Sequence, residues 1–575
     1  MIYDPLKPGF LNPFEHIWNA YNPVIDSRLR QRFSDIRAVA SGPVLTIGLT
    51  ASMGGFLFGA DTGQISGFLI MRDFLRRFAQ YKPDEEEKNG VPYGFNNVRE
   101  GLIVGLLSIG CLIGALIAAP ISNRLGRRMA MIILCGVFLI GNTIQVASFH
   151  AWYQVMIGRF ICGLSVGGLS VLVPVYVSET VPKQIRGALV ATYQLFVTMG
   201  ILTSYCVNLG TSHVDDTAWS WRGALIIGYL WALVLMGGMF ILPETPRYLL
   251  SQGKKEDCMK ALKWIAGKKN KNNNALIESQ YQEMSSAIHE EKSFAKKSFF
   301  SSFDPKDKIM YRTLLGFGLQ MFQQLTGANY FFYYGTTIFQ SVGLTNPYVT
   351  QIILGGVNVA STFPGLWFIE RYGRRKPLII GGLWQCAWLI VFAAVGSQAD
   401  PNSSTVGSIL ILSACMFIFG FASTWGPGVW VAIGEIFPIR VRSHSASFAT
   451  AGNWSWNFLL AFFTPYITSS IGYRYGYVFA GCNLIGVLMV FFFYYESSNL
   501  TLEQVDEMYC DKETNPWKSS SWIPRGYASR REAAESESEK AVVNAGLRED
   551  AAHIENTDRN GSMDTKTTKE SANAI

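Results

Sequence analysis

Long apolar runs alternate with short polar turns along this chain, and the runs are its primary signal. Twelve of them come near the roughly 20 apolar residues that a helix needs to cross the hydrocarbon core of a bilayer. They lie at about 44–68, 101–121, 129–149, 152–177, 187–209, 223–242, 313–339, 349–369, 377–396, 407–434, 446–469 and 475–495. The first and the tenth are rich in glycine and are the weakest of the set. The pattern predicts an all-α polytopic membrane protein with twelve transmembrane helices.

Polar stretches divide the runs into a segment 1–42, a bundle 43–242, a linker 243–312 with short helices, a second bundle 313–495 and a tail 496–575. The end of the tail, "SRREAAESESEKAVVNAGLRED" and onward, is too polar to bury a core and is expected to be mostly disordered. The opening "MIYDPLKPGFLNPFEHIWNA" has prolines and acids but no cleavable signal pattern.

Composition agrees. Of 575 residues, 49% are hydrophobic and only 16% charged, against about a quarter charged in soluble proteins. The cysteines fall inside apolar runs, except Cys258 and Cys510, so no disulfide framework is expected. No cysteine–histidine spacing suggests a metal, and no nucleophile–base set suggests an enzyme. No cofactor is expected, and the net charge of +7 is a matter of topology rather than nucleic-acid binding.

That topology is legible in the turns. Positive charge crowds 122–128, 178–186, 370–376 and 435–444, while the short alternate turns near 150, 341–348, 397–406 and 470–474 hold one Arg474 and no lysine. Positive residues near spans stay on the cytoplasmic side. Both termini are therefore expected in the cytoplasm, with the plasma membrane as the location. Asn402 in "PNSST" is the sequon left in an outer loop, a candidate glycosylation acceptor. The linker lysines face anionic lipid headgroups or water, and the tail is open to cytoplasmic regulators.

Two patterns recur in order and at nearly the same separation. "NRLGRR" at 123–128 returns as "ERYGRR" at 370–375, and "ETVPKQIR" at 179–186 returns as "EIFPIRVR" at 435–442. Such a repeat means a duplicated six-helix unit, two parallel halves joined by the linker. Arginine forms forked bonds to carboxylates. Arg124, Arg127, Arg128, Arg186, Arg371, Arg374, Arg375 and Arg442 are thus expected to pair with Glu179, Glu244, Glu370, Glu435 or Glu496. The expected role is a cytoplasmic gate that holds the two halves together.

With these residues the chain resembles the sugar porter branch of the major facilitator superfamily over about residues 40–510, and looks most like fungal hexose transporters. The ordered matches are "GGFLFGADTGQISG", "NRLGRR", "GRFICGLSVGG", "PVYVSETVPKQIRG", "PETPRYL", "QMFQQLTGANYFFYY", "ERYGRR" and "GPGVWVAIGEIFP". The resemblance implies transport of a monosaccharide, a hexose such as glucose first, by alternating access. It also implies sugar-binding roles for Gln194, Gln323, Gln324, Asn329, Asn358, Trp430 and Asn457.

The residues themselves favour the same place. Gln320, Gln323, Gln324, Thr326 and Asn329 are costly in lipid and must face protein or a water-filled cavity. At 100° per residue, Gln320, Gln323, Gln324 and Gly327 share one face. Amides both donate and accept, as sugar hydroxyls require, and Tyr330, Tyr333 and Tyr334 can cover a pyranose ring. Polar glue between helices is the competing role for the same residues.

Asp61 and Arg159 form a candidate proton-coupling pair, since a buried acid beside an arginine can switch partners on protonation. Facilitating relatives also resemble the chain at Asp61, so uniport stands ahead of symport. Three departures from the family remain: Asn123 where aspartate is usual, Ala60 where an aromatic is usual, and "YESSNLTLEQVDE" where P-E-T-K-G is common. They are expected to loosen the gate, the first-half clamp most. They also keep open a rival role, a transporter-like sugar sensor that signals through its cytoplasmic segments.

Overall fold

The computed structural model describes residues 42–532, apart from 87–89, 182, 215, 271–276, 279, 283, 287, 289–298, 341–345, 400–402, 439–440, 512, 525, 528 and 531. Asn402, the side chain of Arg186, residues 1–41 and the tail beyond 532 lie outside the described residues.

The first half consists of α1 (Gly42–Phe68), a short α2 (Arg72–Phe78), a two-strand hairpin, α3 (Asn97–Leu125), α4 (Arg127–Val146), α5 (Trp152–Thr180), α6 (Lys183–Ser212) and α7 (Trp219–Ile241). In the hairpin, Gln80 lies opposite Gly94 and Tyr81 opposite Tyr93. It marks one end of the bundle, here called the hairpin end. The Gly-Arg-Arg turns mark the other, the arginine end. Glycine does not weaken α1 as a helix. It lets α1 and α6 approach at backbone distance, since a Cβ on Gly59 would sit 1.9 Å from the Val197 carbonyl oxygen. Small residues serve this purpose wherever membrane helices pack without a hydrophobic drive.

Short helices α8 (Pro246–Ser251) and α9 (Lys255–Asn270) follow at the arginine end. The second half then departs from the expected pattern in two places. The span 313–339 is broken into α10 (Ile309–Leu325) and α11 (Ala328–Gln340), with Gly327 between them at φ +95°. Intact helix cannot include that dihedral. The break leaves the amides of "QQLTGAN" at a helix interruption facing the centre of the bundle, the usual position for a transporter binding site.

After α12 (Pro347–Tyr372) and α13 (Arg375–Gln398), the tenth span runs as α14 (Ser404–Gly420), a π turn at Phe421–Trp425, and α15 (Gly426–Ile436). Such π turns concentrate at functional sites. Helices α16 (Arg442–Ile471) and α17 (Tyr475–Phe493) complete the half. Among the described residues, length and apolarity alone pick out ten spanning stretches. The twelve crossings are recovered because α16 and α17 run through a 3-10 turn as one stretch, and because α10 and α11 are each too short.

The tail does not leave the bundle at once. Helix α18 (Leu502–Cys510) is capped by Thr501 and Gln504, and a 3-10 turn at Pro516–Ser521 follows. Val505, Met508 and Tyr509 are buried in one cluster with α15 residues Val429, Ala432 and Ile436. The Arg530 guanidinium then donates to the carbonyls of Glu496, Ser498, Ser519 and Trp522.

The halves meet along α3–α16, α6–α12 and α1–α11. At the hairpin end they are joined by Asn97 Nδ2 to Ser469 Oγ at 3.1 Å, by Ser66 with Thr336, and by Tyr348 Oη to the Gly67 carbonyl. Tyr205 Oη donates to the Phe332 carbonyl at 3.2 Å.

Candidate functional site

Between the halves lies a cavity of about 110 Å³. All seven residues expected at a sugar site line it: Gln194 from α6, Gln323 and Gln324 from α10, Asn329 from α11, Asn358 from α12, Trp430 from α15 and Asn457 from α16. Among the described residues, lysine, arginine and carboxylate side chains are absent from this lining, which continues with Phe58, Thr62, Phe332, Tyr333, Phe421, Asn453 and Trp454.

The amides are wired to each other. Gln324 Nε2 donates to Asn453 Oδ1 at 3.0 Å, and Gln324 Oε1 accepts from Asn329 at 2.6 Å and Asn457 at 3.2 Å. Asn453 Nδ2 donates to Gln320 and to Gln323 Oε1, while Gln323 Nε2 holds the carbonyls of Trp425 and Gly426 beside the π turn. Asn457 Oδ1 accepts from Tyr333 at 3.1 Å and from Ser108 of the other half at 2.6 Å. Networks of this kind fix orientation because each unmade bond in a low-dielectric interior is costly.

Asn453 was legible but easily missed, since its Asn-x-Ser sequence draws attention to glycosylation rather than to its place one turn before Asn457 on the same face. Of the three tyrosines, only Tyr333 faces the cavity. Tyr330 packs against Phe331, Tyr475 and Phe479, and Tyr334 donates to the Ala461 carbonyl. The helix break at Gly327 turns α11 so that these two rings become core. Trp430 keeps 40% of its surface exposed. With the halves joined at the hairpin end, this access runs toward the arginine end.

Asp61 and Arg159 come together within the first half, behind the cavity. Their closest atoms are 3.9 Å apart, with the two side chains 1% and 0% exposed. Gln64 Nε2 donates to Asp61 Oδ1 at 2.9 Å, while Asp61 Oδ2 and the three Arg159 nitrogens make no hydrogen bond among the described residues. This is a charge contact rather than a forked bond.

At the arginine end the two repeats build the same clamp. Arg374 forks onto Glu435 with bonds of 3.0 and 2.7 Å, whereas Arg127 makes one bond to Glu179, from Nη2 at 3.1 Å, its Nε standing 3.0 Å from the other oxygen as a charge contact. Glu244 accepts the backbone N–H groups of Arg127 and Arg128, and Glu496 those of Arg374 and Arg375, each within 3.0 Å. Each carboxylate thereby caps the N-terminus of α4 or α13, where helix dipoles favour negative charge. Arg128 and Arg375 close the motif on the carbonyls of Phe240 and Phe491. Burial pushes the Glu244 carboxyl above its ordinary range, against the pull of these amides. At Arg374 burial works against the charge, but Glu435 outweighs it and the guanidinium holds its proton more firmly than usual.

Three expectations change here. Both clamps run within a half, not between halves: Arg127 and Glu179 belong to the first half, Arg374 and Glu435 to the second. The altered final motif is not degraded: Ser497 donates to Glu435 at 2.7 Å just as Thr245 donates to Glu179 at 2.7 Å, so Glu496-Ser497 does the work of Glu244-Thr245. Nor is the first clamp weakened by Asn123, since Asn123 and its counterpart Glu370 are both exposed and add no bond to either clamp. Asn123→Asp is therefore expected to leave sugar uptake and the thermal midpoint in detergent within experimental error. A clear rise in either would show that position 123 joins the clamp. Arg124, Arg371 and Arg442 are likewise exposed, Arg442 resting on the Gly434 carbonyl.

Among the described residues no histidine, cysteine and carboxylate group has the makings of a metal site. Residues 47–509 match the family described as "Sugar (and other) transporter". The high-affinity glucose transporter ght2 of Schizosaccharomyces pombe is 42% identical, over 88% of this chain and 94% of its own length. A galactose transporter of Saccharomyces cerevisiae is 42% identical, over 83% of this chain and 82% of its own. Among solved structures, the proton:xylose symporter XylE bound to 6-bromo-6-deoxy-D-glucose superposes with a TM-score of 0.66 at 26% identity, covering 81% of this chain and 99% of that one. Since the family match takes in both halves and the cavity between them, the chain belongs to the sugar transporter family.

Proposed function

We propose that this chain carries a hexose across the plasma membrane as a uniporter by alternating access, with its arginine end in the cytoplasm. The uncharged, amide-lined cavity between the two halves carries the reading. Amides and Tyr333 offer donors and acceptors in the mixed pattern that sugar hydroxyls need, and the exposed Trp430 ring offers a flat apolar face for the ring C–H groups. An anionic substrate would find no cation in this lining. Glucose and galactose, for which relatives are named, differ only in the configuration of one hydroxyl, and the cavity's amides suit either.

Proton symport is the second reading, and the buried Asp61–Arg159 contact favours it. Labelled-glucose uptake in cells lacking hexose carriers, with and without a proton uncoupler, separates the two. The expected result is saturable uptake and counterflow that survive the uncoupler, in the parent and in Asp61→Asn alike. Uncoupler-sensitive accumulation that Asp61→Asn abolishes would establish symport. Absence of uptake despite surface expression would sink transport and revive the sensor, a role that relatives named as transporters do not favour.

A further inference from the structure

Helices α3 and α16 close the hairpin end like the rungs of a ladder, and the last rung reaches the amide cluster. From the hairpin end inward, Asn97 bonds Ser469. Gly101 then abuts the Phe462 carbonyl and Gly105 the Phe458 ring, where an added Cβ would meet them at 2.5 and 3.2 Å. Ser108 Oγ finally donates to Asn457 Oδ1 at 2.6 Å, both side chains being buried. Asn97, Gly101, Gly105 and Ser108 follow one another at helical spacing along one face of α3.

The Asn457 amide oxygen has two lone pairs, and both are taken. One accepts from Tyr333, which belongs to the same half as Asn457. The other accepts from Ser108, which belongs to the opposite half. A sugar hydroxyl that donates to Asn457 must therefore displace one of these two, and only Ser108 departs when the hairpin end opens.

We propose that Ser108 is a positioning residue that makes closure of the hairpin end compete with sugar for one lone pair of Asn457. This rests on the reading of the cavity as a sugar site. Sugar on Asn457 releases the innermost rung, so the loaded carrier reopens its hairpin end more easily than the unloaded one. The carrier then exchanges sugar for sugar faster than it takes sugar up into sugar-free cells.

The test compares labelled-glucose equilibrium exchange with entry into sugar-free cells, using the full chain. The parent is expected to exchange faster than it enters. Ser108→Ala is expected to lower the exchange-to-entry ratio about fivefold, the effect of one net hydrogen bond between neutral groups. The variant should fold, since Asn457 Oδ1 keeps its bond from Tyr333. Asn97→Ala weakens the same ladder at a rung that sugar cannot reach, and is expected to keep the parent's ratio. A purely structural role for Ser108 would lower both rates together. Transport with an unchanged ratio in Ser108→Ala, or an equal fall in Asn97→Ala, overturns the rung while leaving the transport reading intact. Loss of all uptake in the parent overturns both.

Discussion

Replacing Gln324 with alanine is expected to cut uptake of sub-saturating sugar about a hundredfold without removing the protein from the cell surface. Gln324 is where the cluster converges: it holds Asn453 with its nitrogen, and Asn329 and Asn457 with its oxygen. Three bonds at about 1 kcal/mol each come to ~3 kcal/mol, or roughly two decades in affinity. The variant loses its own contacts to sugar and also the orientation of three neighbouring amides. Gln324→Glu keeps the size of the side chain but replaces its donors by a buried charge, and is expected to be no better. Initial rates of labelled-glucose uptake, normalised to surface protein, decide the matter. Near-parental affinity in Gln324→Ala would move the sugar site elsewhere.

An alanine at Gly126 or Gly373 is expected to be as damaging, through folding rather than binding. Both glycines hold a positive φ, +93° and +84°, which costs an L-residue about 1–2 kcal/mol. Both also leave room for a capping carboxylate. A Cβ at Gly126 would sit 2.2 Å from the Glu244 carboxylate, and one at Gly373 would sit 2.5 Å from that of Glu496. Displacing the carboxylate uncovers two backbone N–H groups at a helix start and gives up charge-assisted bonds worth about 1.5–3 kcal/mol. A loss of about 3 kcal/mol or more is expected at either position, read as reduced surface expression and a lower thermal midpoint in detergent. Gly136→Ala, on α4 with open space around it, is the matched control and should behave like the parent. Equal midpoints for Gly126→Ala and Gly136→Ala would mean that Glu244 is not the cap.

The crossings and the repeat were legible because hydrophobic length and charge asymmetry are properties of local sequence. The seven amide and tryptophan positions were legible through resemblance, and the α10 set also through the cost of polar groups in lipid. What stayed hidden depends on two helices at once. The direction of the clamps is one such case. Sequence shows arginines and carboxylates at helix ends, but which carboxylate meets which arginine is set by how the helices of one half pack together. The cap made by Glu244 and Glu496 is another. A carboxylate that serves backbone N–H groups leaves no trace beyond the glycine that makes room for it, and that glycine was visible in "LGRR" and "YGRR" without its reason. Tyr330 and Tyr334 turn away from the cavity because the helix is not continuous through Gly327, and a single residue at positive φ redirects everything after it.

The bonds that Arg530 makes to Glu496, Ser498, Ser519 and Trp522 set the two halves apart in one respect that duplication conceals. The first clamp draws on no residue later in the chain than Tyr248. The second has its backbone held in place by Arg530, well past the last crossing at Tyr475–Phe493, so a protease acting on the tail is expected to loosen the second clamp before the first. Two clamps built from one repeated motif thus differ in what they depend on: the second alone leans on a residue of the tail.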